Sequence, residues 1–444
     1  MPVRGWMLPA LTAVALGAGG VGVAVDGQAD PAVQQLELAV ARDGGAVTLP
    51  PRTVRPFSLV GVTWPDPAQS IAGTAEVRVR TRSEWSGWRA LDVDQHFGAD
   101  VGTPEAEGVR GGTDPLWVGA ADGVELRIRA LGRSPLPTGL RLELVNPAAI
   151  GRPTASAPAR TAPAGDGPAR TAPAGDGPAG GDESAGGERT WGGRDGGEPA
   201  GNSAGSRAGA GPRMATPPGP APTAVVPPPA GAVEAAAVPA PLVGAPAMVD
   251  RAAWKADERI NRGAVLYTGP PQVMFVHHTA GTNDYTCAQS PALIRAIHLY
   301  HVKSRKWGDI GYNFVVDRCG TVFEGRRGGA ELNVLGAHTY GFNTDSFGVV
   351  VLGTYSTRAA SAAAIRSLAH LAAWKLGAEA ADTGAQVLLE SRADNRYRIG
   401  NQVIFSRVSA HRDGVLTECP GNALYRQVPE VRRQAAALAG RALK

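Results

Sequence analysis

Three side chains of this sequence have the types and the setting for metal or nucleophile chemistry. His277 closes an apolar run, Val273-Met-Phe-Val, and is followed by His278 and the small, polar Thr279-Ala-Gly. A histidine at a strand end is placed where a sheet presents side chains to a cleft. Further on, His411 and Cys419 are separated by seven residues of turn-rich chain, and Pro420-Gly421 fixes the backbone just past the sulfur. Imidazole and thiolate are both good zinc ligands. Three ligands without an evident fourth describe a catalytic metal site, whose open position serves activation of water toward a carbonyl. The same pair supports a second chemistry, with Cys419 as nucleophile and His411 as its base. Spacing alone leaves both readings open.

The elements that must position these residues lie in an alternating strand and helix pattern over 246–444. Val273–Val276 and Phe347–Leu352 read as buried strands, and Tyr312–Asp317 with Thr321–Gly325 reads as a hairpin turned through Arg318-Cys319-Gly320. Leu293, Ile297 and Tyr300 recur at helical spacing within 291–303. Ile365, Leu368 and Leu371 do so within 362–376, and 422–443 reads as a final helix. The expectation is an α/β domain with a mixed β-sheet packed by helices.

Two other regions precede it. Residues 34–148 read as an all-β, sandwich-like accessory domain, because Ala75–Arg82, Val124–Arg129 and Leu140–Leu144 alternate apolar and polar side chains between turn signals. Trp64, Trp85, Trp88 and Trp117 are spread among these strands and are expected in its core, with a sugar-binding face as the alternative. From 151 to 245 the chain is rich in Ala, Gly and Pro and repeats one decapeptide in tandem from Pro158 and Pro168. Such a segment buries too little apolar surface to offset its ordering entropy, so a disordered linker is expected.

With 444 residues, 59 of them Gly and 36 Pro, the chain suits two folded units and a long connector. The formal charge is only +4, and no arginine run interleaves with aromatics, so nucleic acid is not an expected partner. Arg4 followed by the apolar stretch Met7–Val25 reads as a secretory signal over 1–29, cleaved after Ala24 or Ala29, with a retained anchor as the alternative. No second stretch is long enough to span a bilayer, so stable membrane insertion after cleavage is not expected. Secretion and association with the cell wall follow. Of the three cysteines, Cys287 and Cys319 lie near the first strand–helix–strand unit while Cys419 stands apart, and the expected disulfide in an oxidising compartment is Cys287–Cys319.

Residues 272–428 resemble the type 2 N-acetylmuramoyl-L-alanine amidases, the family of peptidoglycan recognition proteins and phage-lysozyme-like zinc amidases. The resemblance rests on Val276-His-His-Thr-Ala280, Trp307-Gly-Asp-Ile-Gly-Tyr-Asn-Phe314, Glu324-Gly-Arg326, Gly336-Ala-His-Thr339, Asn343-Thr-Asp-Ser-Phe-Gly348, His411-Arg-Asp413 and Thr417-Glu-Cys-Pro-Gly421. It does not extend to the N-terminal region or the linker. It implies Zn2+ as cofactor with His277, not His278, as first ligand and His411 and Cys419 as the others. It also implies Tyr312 and Thr417 as the catalytic pair, and Trp307, His338 and Asn343 near a substrate groove. The implied reaction is hydrolysis of the bond between N-acetylmuramoyl and L-alanine in peptidoglycan; the alternative is a binding module that recognises peptidoglycan without cutting it. One departure is visible. Some relatives carry a glutamate as general base at the position of Val350, and valine cannot do that work. Glu324 is the remaining acidic candidate, with an ion pair to Arg326 as its structural alternative.

Overall fold

Alternation along the N-terminal strands makes a sheet with one apolar side. The computed structural model describes residues 30–41, 44–93, 97–132, 134–149 and 243–442, so the expected leader over 1–29 and residues 151–242 of the expected linker lie outside the described residues. Eight strands are formed before residue 150: β1 (Val33–Glu37), β2 (Ala46–Trp64), β3 (Gly73–Thr81), β4 (Glu84–Trp85), β5 (Arg89–Leu91), β6 (Gly111–Gly112), β7 (Leu116–Ala130) and β8 (Arg141–Val145). They make one hydrogen-bonded network in the order β1-β8-β2-β7-β3-β4, with β5 added to β3 and β6 to β2. All the pairings are antiparallel, and the β2–β7 ladder carries register shifts near Leu49, Thr53 and Phe57, which let the long strands bend. Ala75, Val77 and Val79 of β3 face the same core as Val124, Leu126 and Ile128 of β7. Of the four tryptophans, Trp64 and Trp117 are buried. Trp85 and Trp88 instead lie half-exposed beneath the guanidinium groups of Arg78 and Arg127.

The alternation stops where a second face is covered. From Leu59 to Trp64 every residue of β2 is buried, and so is all of β8 after Arg141. Leu142 and Leu144 turn to the domain's own core, while Leu59 and Val145 join a cluster with Leu293, Ile297 and Tyr300 of the C-terminal domain. The two domains thus share a continuous apolar core. Their approach is close enough that a Cβ at Gly61 would lie 2.6 Å from the Tyr300 ring.

The C-terminal domain contains β9 (Met248–Val249), β10 (Val273–His278), α1 (Ser290–Leu299), β11 (Phe314–Val316), β12 (Val322–Glu324), β13 (Ser346–Val351), α2 (Ala362–Leu376), β14 (Gln386–Glu390), β15 (Gln402–Ser406), β16 (Val408–Ala410), α3 (His411–Gly414), α4 (Asn422–Tyr425) and α5 (Val428–Ala442). Its main sheet runs β16-β10-β13-β11-β12-β9. The central pairs are parallel and β11–β12 is the antiparallel hairpin expected from the sequence. One face packs on α2 and α5 through Met274, Val276, Val349, Leu368, Leu371 and Val431. The other carries Val315 and Val350 and packs on α1. Helix α2 begins at Ser361, whose hydroxyl accepts from Ala364 N at 3.1 Å, and ends at Gly377 with φ 57.

Two helices differ from expectation. The helix expected to reach residue 303 ends at Leu299 and widens into a π turn over Tyr300–Ser304, the segment that meets the β-domain. The expected single helix over 422–443 is two, because Pro429 has no N–H to continue a helix and instead belongs to the first turn of α5. The Cys287–Cys319 disulfide is present, with Cα atoms 6.3 Å apart, and ties the entry to α1 to the β11–β12 turn.

Candidate metal centre

Strand β10 separates the two adjacent histidines. Successive side chains of a strand point to opposite faces, so His278 shares the side of Met274 and Val276, where its Nδ1 accepts from Tyr355 N at 3.2 Å. His277 points to the other side, paired in register with Val350 of β13. His411 is the first residue of α3, directly after β16, the other parallel neighbour of β10. Cys419 is held by the loop beyond α3: its backbone oxygen accepts from Arg412 N at 3.1 Å and from Arg412 Nε at 3.3 Å. Arg412 also donates to Asn422 Oδ1 at 2.6 Å, clipping the loop shut.

These placements bring one ligand atom each from His277, His411 and Cys419 within 4.8 Å of one another. The Cys419 sulfur lies 4.0 Å from His277 Nδ1 and accepts from the backbone N–H of His278 at 3.3 Å. Donors around a tetrahedral zinc, with bonds of about 2.0–2.3 Å, stand roughly 3.3–3.5 Å apart, so the Cys419–His277 separation is about half an ångström wider than in a loaded site. The opposite nitrogen of His277, Nε2, lies 3.4 Å from Thr339 Oγ1, an orienting contact of the kind metal-site histidines use. The surroundings are dry: His277 and His411 are 0% exposed and Cys419 1%. Burial, with His411, His338 and His278 adding to it, holds His277 well below the usual histidine value, which leaves the neutral imidazole a ligand needs. The same burial pushes the Cys419 thiol well above its usual value, so without a cation nearby it stays protonated. Two buried imidazoles and a buried thiol in a dry recess fit a zinc-sized cation. The second such grouping, Cys287, Asp317 and Cys319, does not, since both sulfurs are spent in the disulfide.

Tyr312 stands just before β11 with its ring 5.5 Å from that of His277, and burial raises its phenol well above the usual value, with Asp114 and Cys419 adding to the effect. Thr417 accepts from Cys419 N through its hydroxyl at 3.1 Å. The three residues expected near a groove are all enclosed. Trp307 is 2% exposed and stacks on His301 at 4.3 Å. The His338 ring is wedged against Gly336 and Gly348, where a Cβ would lie 2.4 and 2.3 Å from it. Its Nε2 makes no hydrogen bond among the described residues, and burial lowers its pKa to about 3. Asn343 Oδ1 accepts from the backbone N–H groups of His338 and Thr339 at 2.7 and 2.9 Å, which fixes the turn that carries Thr339. Arg326 does not pair with Glu324. Its partner is Glu105 of the β-domain, whose carboxylate reaches it across the junction.

Residues of the β-domain also reach the centre itself, which local patterns in the sequence did not reveal. The ring of Phe97 lies 4.4 Å from that of His411, 5.6 Å from His277 and 5.8 Å from Tyr312. Asp100 accepts from Gly341 N at 2.8 Å and from Asn343 Nδ2 at 2.6 Å. Thr339 falls within a matched motif, Gly-Ala-His-Thr, and that was its only signal.

Residues 267–422 match the family described as N-acetylmuramoyl-L-alanine amidase, and residues 23–169 match the one described as Rv3811 N-terminal galactose-binding domain-like. Peptidoglycan-recognition protein SC2 of Drosophila simulans is 31% identical over 153 residues, covering 34% of this chain and 70% of that protein. The human N-acetylmuramoyl-L-alanine amidase is 34% identical over 195 residues, 41% of this chain and 28% of the human one. A solved structure of peptidoglycan recognition protein-LE in complex with tracheal cytotoxin is 27% identical, covers 41% of this chain and 92% of that one, and aligns with a TM-score of 0.32. Through its C-terminal domain this chain belongs to the family of the N-acetylmuramoyl-L-alanine amidases and peptidoglycan recognition proteins.

Proposed function

We propose that this protein is a zinc-dependent amidase that hydrolyses the bond between N-acetylmuramoyl and L-alanine in peptidoglycan. The observation that carries the reading is the convergence of His277, His411 and Cys419 within 4.8 Å beside the Tyr312 ring. Zinc bound there supplies Lewis-acid activation of water and of the scissile carbonyl. The remaining work falls to the chain. Thr339 orients His277, the His278 N–H supports the Cys419 sulfur as thiolate, and Arg412 and Thr417 hold the Cys419 loop. Tyr312, kept protonated by burial, donates a hydrogen bond to the oxygen on which negative charge develops. Val350 lies beside His277 in register and contributes no acid–base group, so proton transfer is left to solvent.

A cysteine-peptidase reading has less support, because a buried thiol with a raised pKa is a poor nucleophile. A pure binding module would have no use for the complete donor set. The disulfide supports an exported protein. Among the described residues no helix is long and apolar enough to cross a membrane.

The test is incubation of the full chain with muropeptides, in parallel with Phe97→Ala so that a shielded site is not mistaken for an inert one. Free stem peptide is followed by mass spectrometry. Release that stops on chelation and returns with zinc is expected; no release from either protein contradicts the amidase reading, and release indifferent to thorough zinc removal contradicts the metal.

A further inference from the structure

The proposed centre is closed in this conformation, and the residue that closes it comes from the other domain. Every donor is at most 1% exposed and Tyr312 is 4% exposed. A muramoyl-peptide is a large substrate and needs an open approach to such a group. Phe97 packs its ring against His411, His277 and Tyr312. A phenyl ring offers no ligand, acid or hydrogen bond to the chemistry; in that position it only excludes water and substrate.

The segment carrying Phe97 is fastened at two points. Asp100 accepts from Gly341 N, Asn343 N and Asn343 Nδ2 at 2.8, 3.2 and 2.6 Å. Glu105 pairs with Arg326 and accepts from Gly308 N at 2.9 Å. The first latch bears on the centre directly, since Asn343 also sets the Thr339 turn whose hydroxyl meets His277. Neither latch belongs to the apolar docking of the domains, which runs through Leu59, Val145, Leu293 and Tyr300. Phe97 and Ala99 of the segment are members of that same apolar cluster, whereas Leu59 of β2 and Val145 of β8 reach the C-terminal domain from other strands, so part of the docking does not depend on the segment.

We propose that residues 97–105 of the β-domain form an autoinhibitory plug, in which Phe97 shuts the metal centre and Asp100 and Glu105 latch it. This rests on the amidase reading for its consequence, but not for its geometry.

The test has two readouts on the full chain. Cys419 is the free cysteine among the described residues, so its alkylation in metal-stripped protein reports whether the recess is open. Phe97→Ala, and separately Asp100→Asn with Glu105→Gln, should alkylate about tenfold faster or more than wild type, the scale of losing charged hydrogen bonds. The zinc-loaded variants should release stem peptide faster by a similar factor. Glu143→Gln, at the domain junction away from the segment, should leave alkylation at the wild-type rate, and circular dichroism checks that every variant is folded. Unchanged alkylation in the folded latch variants overturns the plug, as does faster alkylation with hydrolysis no faster than an active wild type. Faster alkylation with no hydrolysis in any zinc-loaded protein leaves the plug standing and overturns the amidase reading instead.

Discussion

Phe97 and His411, 314 positions apart in the sequence, stand with ring centroids 4.4 Å from each other. That contact joins the two domains at the place where the chemistry is assigned. The β-domain is thus part of the environment of the centre, supplying its cover and, through Asp100, support for the turn beneath it. The following outcomes are expected.

Tyr312→Phe removes a hydroxyl and little volume. Zinc content should be unchanged while turnover falls about 10²- to 10³-fold, the usual loss for one oxyanion donor. Metal analysis and steady-state kinetics on muropeptides measure both; full turnover in this variant would remove Tyr312 from the mechanism.

The two adjacent histidines should behave differently. His277→Ala should lose zinc and activity together. His278→Ala removes the acceptor for Tyr355 N on the opposite face and should lower the melting temperature while zinc still binds. Equal zinc loss in both variants would contradict the assignment of faces.

That assignment was legible in the sequence. Val273-Met-Phe-Val-His-His is a buried strand, and strand alternation sends neighbours to opposite sides, although only the resemblance said which side holds the site. The helices were legible to the extent that periodicity marks them; Pro429 marked the break that periodicity ran through. What Phe97, Asp100 and Glu105 touch was not legible. They lie in a turn-rich stretch without period, and their partners are 180 or more positions away. For the same reason Arg326 was given the nearby Glu324 when the fold supplies Glu105. Trp307, His338 and Asn343 carried suitable chemistry, but their burial is a tertiary property that no local pattern shows.

Gly61→Ala places a methyl where the Tyr300 ring lies 2.6 Å away. Overpacking of this kind costs about 1–3 kcal/mol. Tyr300→Ala should be destabilising alone, and in the double variant the Gly61→Ala penalty should largely vanish. Additive changes in thermal unfolding would contradict the docking described.

Glu143, fully buried at the junction, accepts from Thr63 Oγ1 at 2.8 Å, Ser304 Oγ at 3.0 Å and Gln35 Nε2 at 3.1 Å. Burial raises its carboxyl above the ordinary 4.5, against these bonds and the charge of Arg110. The folded chain therefore keeps this proton to higher pH than the unfolded chain. The associated stability is full below pH 4.5 and is lost as pH rises through the raised value. Glu143→Gln should unfold at a higher temperature than wild type at pH 7 and lose that advantage in acid. A variant less stable than wild type at pH 7 would contradict the sign.

The central claim is that His277, His411 and Cys419 hold one zinc ion with a position left open. X-ray absorption at the zinc edge of the loaded full chain tests it most directly. The expected first shell is one sulfur at about 2.3 Å and two imidazole nitrogens at about 2.0–2.1 Å, completed by a light atom from solvent. A shell without sulfur, or one closed by four protein ligands, would contradict it.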